Sequence, residues 1–317
     1  VDLIFVALGF VILLLAGDVL VKGAVNLALR LGIPALIVSL TIVSFGTSAP
    51  ELFISVGSVL EGVPGLALGN VIGSNTANVL LVLGVPAIIA GVHCADTDTQ
   101  RSYIMMLGAT AIFILGCFLG PLTWVHGVLF LAVLAAVLAD QTREARAHRK
   151  AGADAAAEDL EDIEEADPSM PGWRIALYLV LGLVGLPFGA ELLVDSSVNI
   201  ATRYGVSEEI IGLTLVAIGT SLPELATTVM AAIRRHTEVA LGNVIGSNIF
   251  NLLAIIGVAA LFGEIPVADK LLRFDIWVML AASLVLIPFV LMRKNITRAM
   301  GVGLTLLYVG YVAFLLT

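Results

Sequence analysis

Two stretches of this chain repeat each other. The first reads SFGTSAPEL (44–52) and continues as LGNVIGSNTAN (68–78); the second reads AIGTSLPEL (217–225) and LGNVIGSNIFN (241–251). A constant offset of 173 residues relates Asp18–Asn78 to Glu191–Asn251 without a gap, and 28 of the 61 aligned pairs are identical. An internal duplication explains that agreement; shared composition does not. Each copy places one glutamate, Glu51 or Glu224, inside an otherwise apolar run. Carboxylates set there in pairs point to a twofold cation site within a membrane.

The composition supports a membrane setting. Hydrophobic residues make up 59% of the chain and charged residues only 13%, and the mean hydropathy is +1.06. A soluble domain carries about 25% charged residues. Apolar runs long enough to cross a hydrocarbon core of about 30 Å recur along the whole length. They predict ten spans, near 3–22, 35–60, 65–90, 103–119, 122–139, 173–194, 208–233, 239–262, 272–292 and 299–316. The expected fold is all-α and polytopic, with a five-helix repeat over 1–139, an acidic linker over 140–172 and a second repeat over 173–317. The first span is read as part of the repeat rather than a signal peptide, because Gly17–Arg30 matches Ala190–Arg203. The net charge of −9 has a local source: DAAAEDLEDIEEAD (154–167) holds eight acids and no base, as expected of a solvated linker. Cys94 and Cys117 have no metal or redox spacing.

Basic residues sort by side. Loops on one face carry thirteen, among them Lys22, Arg30, Arg101, Arg234 and Arg235; the opposite loops carry Arg203, Lys270 and Arg273. The positive-inside rule then places the linker in the cytoplasm and both termini outside, in a plasma (inner) membrane. Five spans per half is an odd number, so the halves are expected to be inverted, an arrangement of secondary transporters with the ion site at the midplane.

The motifs suit an ion. Pro50 and Pro223 have no N–H and disturb the carbonyls of the preceding turn, those of Gly46 and Thr47 and of Gly219 and Thr220. In lipid a freed carbonyl needs a partner, which a cation can be. Thr47, Ser48, Thr220 and Ser221 add hydroxyls. Ser74 and Asn78 are four apart on one helix face, as are Ser247 and Asn251. Two facing carboxylates at ~5 Å repel by ~3 kcal/mol at an effective dielectric of 20. A divalent ion between them removes that cost. The ligand set is all oxygen, which favours Na⁺, Ca²⁺ or Mg²⁺ over zinc or copper, and calcium's loose six- to eight-fold coordination fits it best. Gly69 with Gly73, and Gly242 with Gly246, read as helix-packing faces. A dinucleotide-binding reading fails, since no strand precedes these glycines.

GTS-x-PE followed by GN-x-x-GSN-x-x-N, duplicated in inverted halves, resembles the sodium/calcium exchanger family. The resemblance implies ten helices in two inverted five-helix repeats, with the second, third, seventh and eighth as core and the long first and sixth sliding across it. It implies that Glu51 and Glu224 bridge Ca²⁺ with the carbonyls of Thr47 and Thr220. Sodium sites would add Ser48, Ser74, Ser221, Ser247 and the Ala217 carbonyl, with Ser44 contributing through its carbonyl. Position 251 often carries an aspartate in this family; here Asn251 matches Asn78, which lowers the formal charge and speaks against potassium co-transport. The expected activity is Na⁺/Ca²⁺ antiport by alternating access. The alternatives are a proton-coupled or other divalent-cation antiporter of the same fold and, from another class, a passive cation channel. No nucleophile–base pair or metalloprotease signature accompanies the glutamates, so no enzyme is expected. No cofactor and no nucleic acid are expected either. The partners are the transported ions and the lipid bilayer, with the monomer as the working unit.

Overall fold

A computed structural model describes residues 2–94, 99–151, 167–205 and 217–315. They are helical throughout: α1 (Asp2–Leu31), α2 (Ala35–Thr47), α3 (Ala49–Leu60), α4 (Gly65–Ala90), α5 (Gln100–Phe118), α6 (Trp124–Ala151), α7 (Gly172–Arg203), α8 (Leu222–Ile233), α9 (Thr237–Phe262), α10 (Leu271–Val290) and α11 (Arg298–Leu315). Eight of these are long and apolar enough to cross a membrane, and the bent pair α2–α3 makes a ninth. The span expected at 208–233 lies partly outside the described residues. From it a short turn, Ala217–Gly219, and α8 are seen.

Three helices outrun their expected ends. Nothing in α1 breaks the helix before Gly32, whose φ of +64° supplies the left-handed residue that commonly ends a helix. Gly205, 173 positions on, does the same for α7 with φ +75°. At 30 and 32 residues, α1 and α7 are each ~45 Å long, so they cross a ~30 Å core only at a tilt. α6 continues past 139 to Ala151, because TREARAHRK contains good helix formers and no Gly or Pro.

Packing sorts the helices into a centre and a periphery. The apolar windows of α9 and α4 are 89% and 72% buried, against 17–44% for the other single helices of spanning length. α4 and α9 therefore form the centre. α1 and α7 lie antiparallel at backbone contact. A Cβ on Gly9 would lie 2.8 Å from the Gly189 carbonyl, and one on Gly182 2.5 Å from Leu20 Cβ. Such approach needs small residues and gains van der Waals contact where hydrophobicity cannot drive association. The pair is also tied at its ends, by Arg203 to Asp2 at 2.7 Å and by Arg30 to the Met170 carbonyl at 3.4 Å. Two isolated antiparallel bridges join loops of the two halves, Val92 with Ile296 and Leu122 with Ile265.

Candidate cation site

The proline motifs break the helix rather than kink it. α2 stops at Thr47, Ser48 takes φ −83°, ψ +8°, and α3 restarts at a 44° angle with Pro50 in its first turn. Proline suits that position, where its missing N–H would have no partner anyway. Ser221 repeats the backbone, φ −89°, ψ +4°, with Pro223 opening α8. Among the described residues the Thr47 carbonyl receives no backbone hydrogen bond. Glu51 and Glu224 each fall in the first turn of the restarted helix, where the macrodipole favours negative charge.

The breaks bring the two glutamates together at the centre of the molecule. Glu51 is 1% exposed and Glu224 fully buried. The Ser48 hydroxyl donates to Glu224 Oε1 at 3.1 Å, and the Thr220 hydroxyl reaches the Glu51 carboxylate, so each acid is held by the other copy's GTS segment. The carboxylates are near enough to feel each other's charge. Among the described residues neither pairs with Arg, Lys or His, and no third acid, His or Cys joins them.

The repeated motifs hold buried oxygens that no close, well-directed hydrogen bond satisfies. Glu51 Oε2, Glu224 Oε2, Ser221 Oγ, Ser247 Oγ, Asn78 Oδ1 and Asn251 Oδ1 are all buried without a hydrogen-bond partner. An unmet buried polar atom costs about 1–3 kcal/mol, more when charged. All six belong to the repeated motifs, and their chemistry suits a hard cation. Ser247 lies beside the Glu224 carboxylate. Ser74, its equivalent, is buried on α4 at 3% exposure. Thr47 donates to Asn243 Oδ1 and to the Ser44 carbonyl, both at 3.3 Å. Ser44 has its polar groups engaged elsewhere: its hydroxyl lies 2.9–3.3 Å from the carbonyls of Ser39, Gly242 and Asn243, and its carbonyl accepts from Ser48 N at 3.0 Å. Ala217 opens the short turn before Thr220; its side chain lies outside the described residues.

Of the two glycine pairs expected to be packing faces, only that of α9 is one: among the described residues nothing lies within 4 Å of a Cβ on Gly69 or Gly73. A Cβ on Gly242 would meet the Leu36 carbonyl at 2.9 Å, and one on Gly246 the Leu40 carbonyl at 2.5 Å. Four asparagines of the same motifs were not among the expected site residues. Asn70 Nδ2 donates to the Glu51 carbonyl at 3.3 Å and to Ser55 at 3.1 Å. Asn243 Nδ2 makes the matching bonds to the Glu224 carbonyl and Thr228 at the same two distances. Asn75 and Asn248 bond across to the other copy. The signal was available, since all four are identical between the copies and none is apolar.

A broken-helix pair that buries two carboxylates inside a polytopic helical bundle is the architecture of a membrane transporter. The model of the sodium/calcium exchanger protein family matches residues 1–142 and 174–317. The chain is 37% identical to CaxA of Alkalimonas amylolytica over 97% of this chain and 96% of that one. It is 32% identical to the sodium/calcium exchanger MaX1 of Methanosarcina acetivorans over 99% and 98%. Its structure resembles that of the sodium-calcium exchanger NCX_Mj, with a TM-score of 0.80 and 30% identity over 98% of this chain and 97% of the other. The chain belongs to the sodium/calcium exchanger family and is an integral membrane cation/Ca²⁺ antiporter.

Proposed function

We propose that the protein exchanges Na⁺ for Ca²⁺ by alternating access, with Glu51 and Glu224 as the central ligands. The observation that carries this reading is the buried pair of carboxylates, each held by the other copy's GTS segment, with further unmet oxygens on the same repeated motifs. Ca²⁺ would be held by both carboxylates and the carbonyls of Thr47 and Thr220. Na⁺ would share these with Ser48, Ser221, Ser74, Ser247, Asn78, Asn251 and the Ala217 carbonyl. Ser44 supports the site through α2–α9 packing. Both ions need the same carboxylates, so they compete rather than load together. An empty site leaves two like charges buried side by side, which opposes switching without cargo. Competition and loaded-only switching together give exchange rather than leak.

The constant 173-residue offset supports two five-helix repeats, 1–139 and 173–317, inverted about the site as ten spans. The distribution of basic residues supports a cytoplasmic linker with both termini outside. The protein is read as a transporter without enzymatic activity or cofactor, working as a monomer.

The test is ⁴⁵Ca²⁺ uptake into proteoliposomes loaded with Na⁺. Uptake is expected only with an outward Na⁺ gradient, to persist when the proton gradient alone is collapsed, and to vanish in Glu51→Gln and Glu224→Gln. Gradient-independent uptake, or full activity of either variant, would falsify the proposal.

A further inference from the structure

The four buried amides of α4 and α9 are wired crosswise. Asn78 Nδ2 donates to Asn248 Oδ1 at 3.1 Å, and Asn251 Nδ2 donates to Asn75 Oδ1 at 3.0 Å. These bonds are equivalents under the 173-residue offset. A free asparagine can turn either its NH₂ or its oxygen towards a neighbour. Here the donor ends of Asn78 and Asn251 are taken by the opposite helix, and their oxygens are left buried and unbonded. An amide oxygen attracts a cation and an NH₂ repels it. We propose that Asn75 and Asn248 are positioning residues, fixing the polarity of the Asn251 and Asn78 amides so that oxygen faces the ion. This rests on the ion-binding reading of the site. The two braces differ in their own anchorage. Asn75 Nδ2 is held by the Asn248 carbonyl at 3.3 Å, whereas Asn248 Nδ2 meets only the Met106 thioether at 3.7 Å.

The test is Ca²⁺ binding to the purified full-length protein by calorimetry in a double-mutant cycle. Asn75→Ala is expected to weaken binding roughly tenfold, the order of one lost ligand. It should add nothing in an Asn251→Ala background and act in full in an Asn78→Ala background. Asn248→Ala should couple to Asn78 and not to Asn251. Additive effects throughout, or coupling within one helix (75 with 78, 248 with 251), overturn the proposal. The Asn248 arm stands by itself if Asn75→Ala fails to fold, since that side chain donates only to a thioether. Loss of Na⁺-driven uptake in the unmodified protein would overturn the exchange reading and leave this coupling pattern intact.

Charge within α1 and just past the end of α8 carries a second, independent inference. Asp18 Oδ1 accepts from Arg234 Nε at 2.7 Å and pairs with Nη2 at 2.5 Å, while Oδ2 pairs with Lys22 at 3.0 Å. The equivalents of Asp18, Lys22 and Arg234 are Glu191, Asp195 and Glu61: three acids, all exposed, none ion-paired among the described residues. The helices differ in the same sense. On α8, Ala226 is 6% exposed, and its carbonyl would lie 3.0 Å from a Cβ on Gly17 of α1. On α3 its equivalent, Phe53, is 76% exposed. We infer that the Asp18–Arg234 pair is a one-sided latch, which holds α1 against α8 and has no ion-paired counterpart among the described residues of α7 and α3.

The test is labelling by an impermeant maleimide of a cysteine introduced as Met230→Cys, beside Gly17. Cys94 and Cys117 are buried, and the protein lacking Met230→Cys is the blank. Arg234→Gln should raise the labelling rate by roughly 1.5- to fivefold, the range for a partly exposed ion pair. The swap Asp18→Arg with Arg234→Asp should restore it. An unchanged rate in Arg234→Gln, or no restoration by the swap, overturns the latch. Labelling reads the contact directly and does not depend on transport.

Discussion

Gly246→Ala is expected to damage the site from behind. The added Cβ would lie 2.5 Å from the Leu40 carbonyl, 2.3 Å from Ser44 Oγ and 2.8 Å from Ser44 Cβ. The serine hydroxyl can rotate, but the Leu40 oxygen belongs to the backbone of α2. A carbon meets an oxygen comfortably at ~3.3 Å, so α9 must retreat from α2 by ~0.8 Å. That displacement strains the bonds from Ser44 to the Gly242 and Asn243 carbonyls (3.3 and 3.0 Å) and from Thr47 to Asn243 (3.3 Å). Overpacking of this kind costs about 1–3 kcal/mol. Ligands must be held to within ~0.5 Å, so Ca²⁺ affinity should fall along with stability. Gly57→Ala is the control, because nothing lies within 4 Å of its Cβ and it sits within α3. That change should be neutral or stabilise by ~0.5–1 kcal/mol. The assays are thermal unfolding of the solubilised protein and the Ca²⁺ concentration giving half-maximal uptake. Equal melting temperatures and equal Ca²⁺ dependence for the two variants would refute the argument that this contact sets ligand geometry.

Other substitutions separate ligands from their supports. Asn243→Ala should raise the Ca²⁺ requirement more than Asn70→Ala, because Asn243 also accepts from Thr47; uptake titrations on both variants decide. Ser44→Ala should cost roughly 0.5–1.5 kcal/mol in unfolding measurements and raise the Ca²⁺ requirement less than Gly246→Ala, since it loosens the α2–α9 contact without forcing the helices apart. Gly32→Ala should destabilise by about 1 kcal/mol, since φ is +64° there; a melting temperature equal to that of the unmodified protein would count against it.

Much of this arrangement was legible in the residues. A carboxylate three positions after a serine and next to a proline, repeated 173 residues later, predicts facing acids, and Ser48 donates to Glu224 across the copies. Local features were harder. Proline removes an N–H wherever it stands, so sequence alone does not tell a kink from a fresh start; the backbone of Ser48 and Ser221 does. The family resemblance gives Ser44 a role through its carbonyl; that oxygen accepts from Ser48 N, and the hydroxyl faces α9. The asparagines were passed over because glycines at one-turn spacing offer a packing reason for the whole motif. Their bonds depend on the other copy, which no reading of either segment alone reveals. Helix length was underestimated in α1 and α7, where hydropathy fades before the backbone meets a reason to stop.

The crossed asparagines also bear on how such a molecule could arise. Asn78 reaches Asn248 while Asn251 reaches Asn75, which is the reciprocity of an isologous contact, where one patch recognises its own likeness. A half-length ancestor carrying only Asn75 and Asn78 already holds the donors and acceptors of both bonds. Two such chains, inserted head-up and head-down in one bilayer, could have closed the same square before any fusion of their genes.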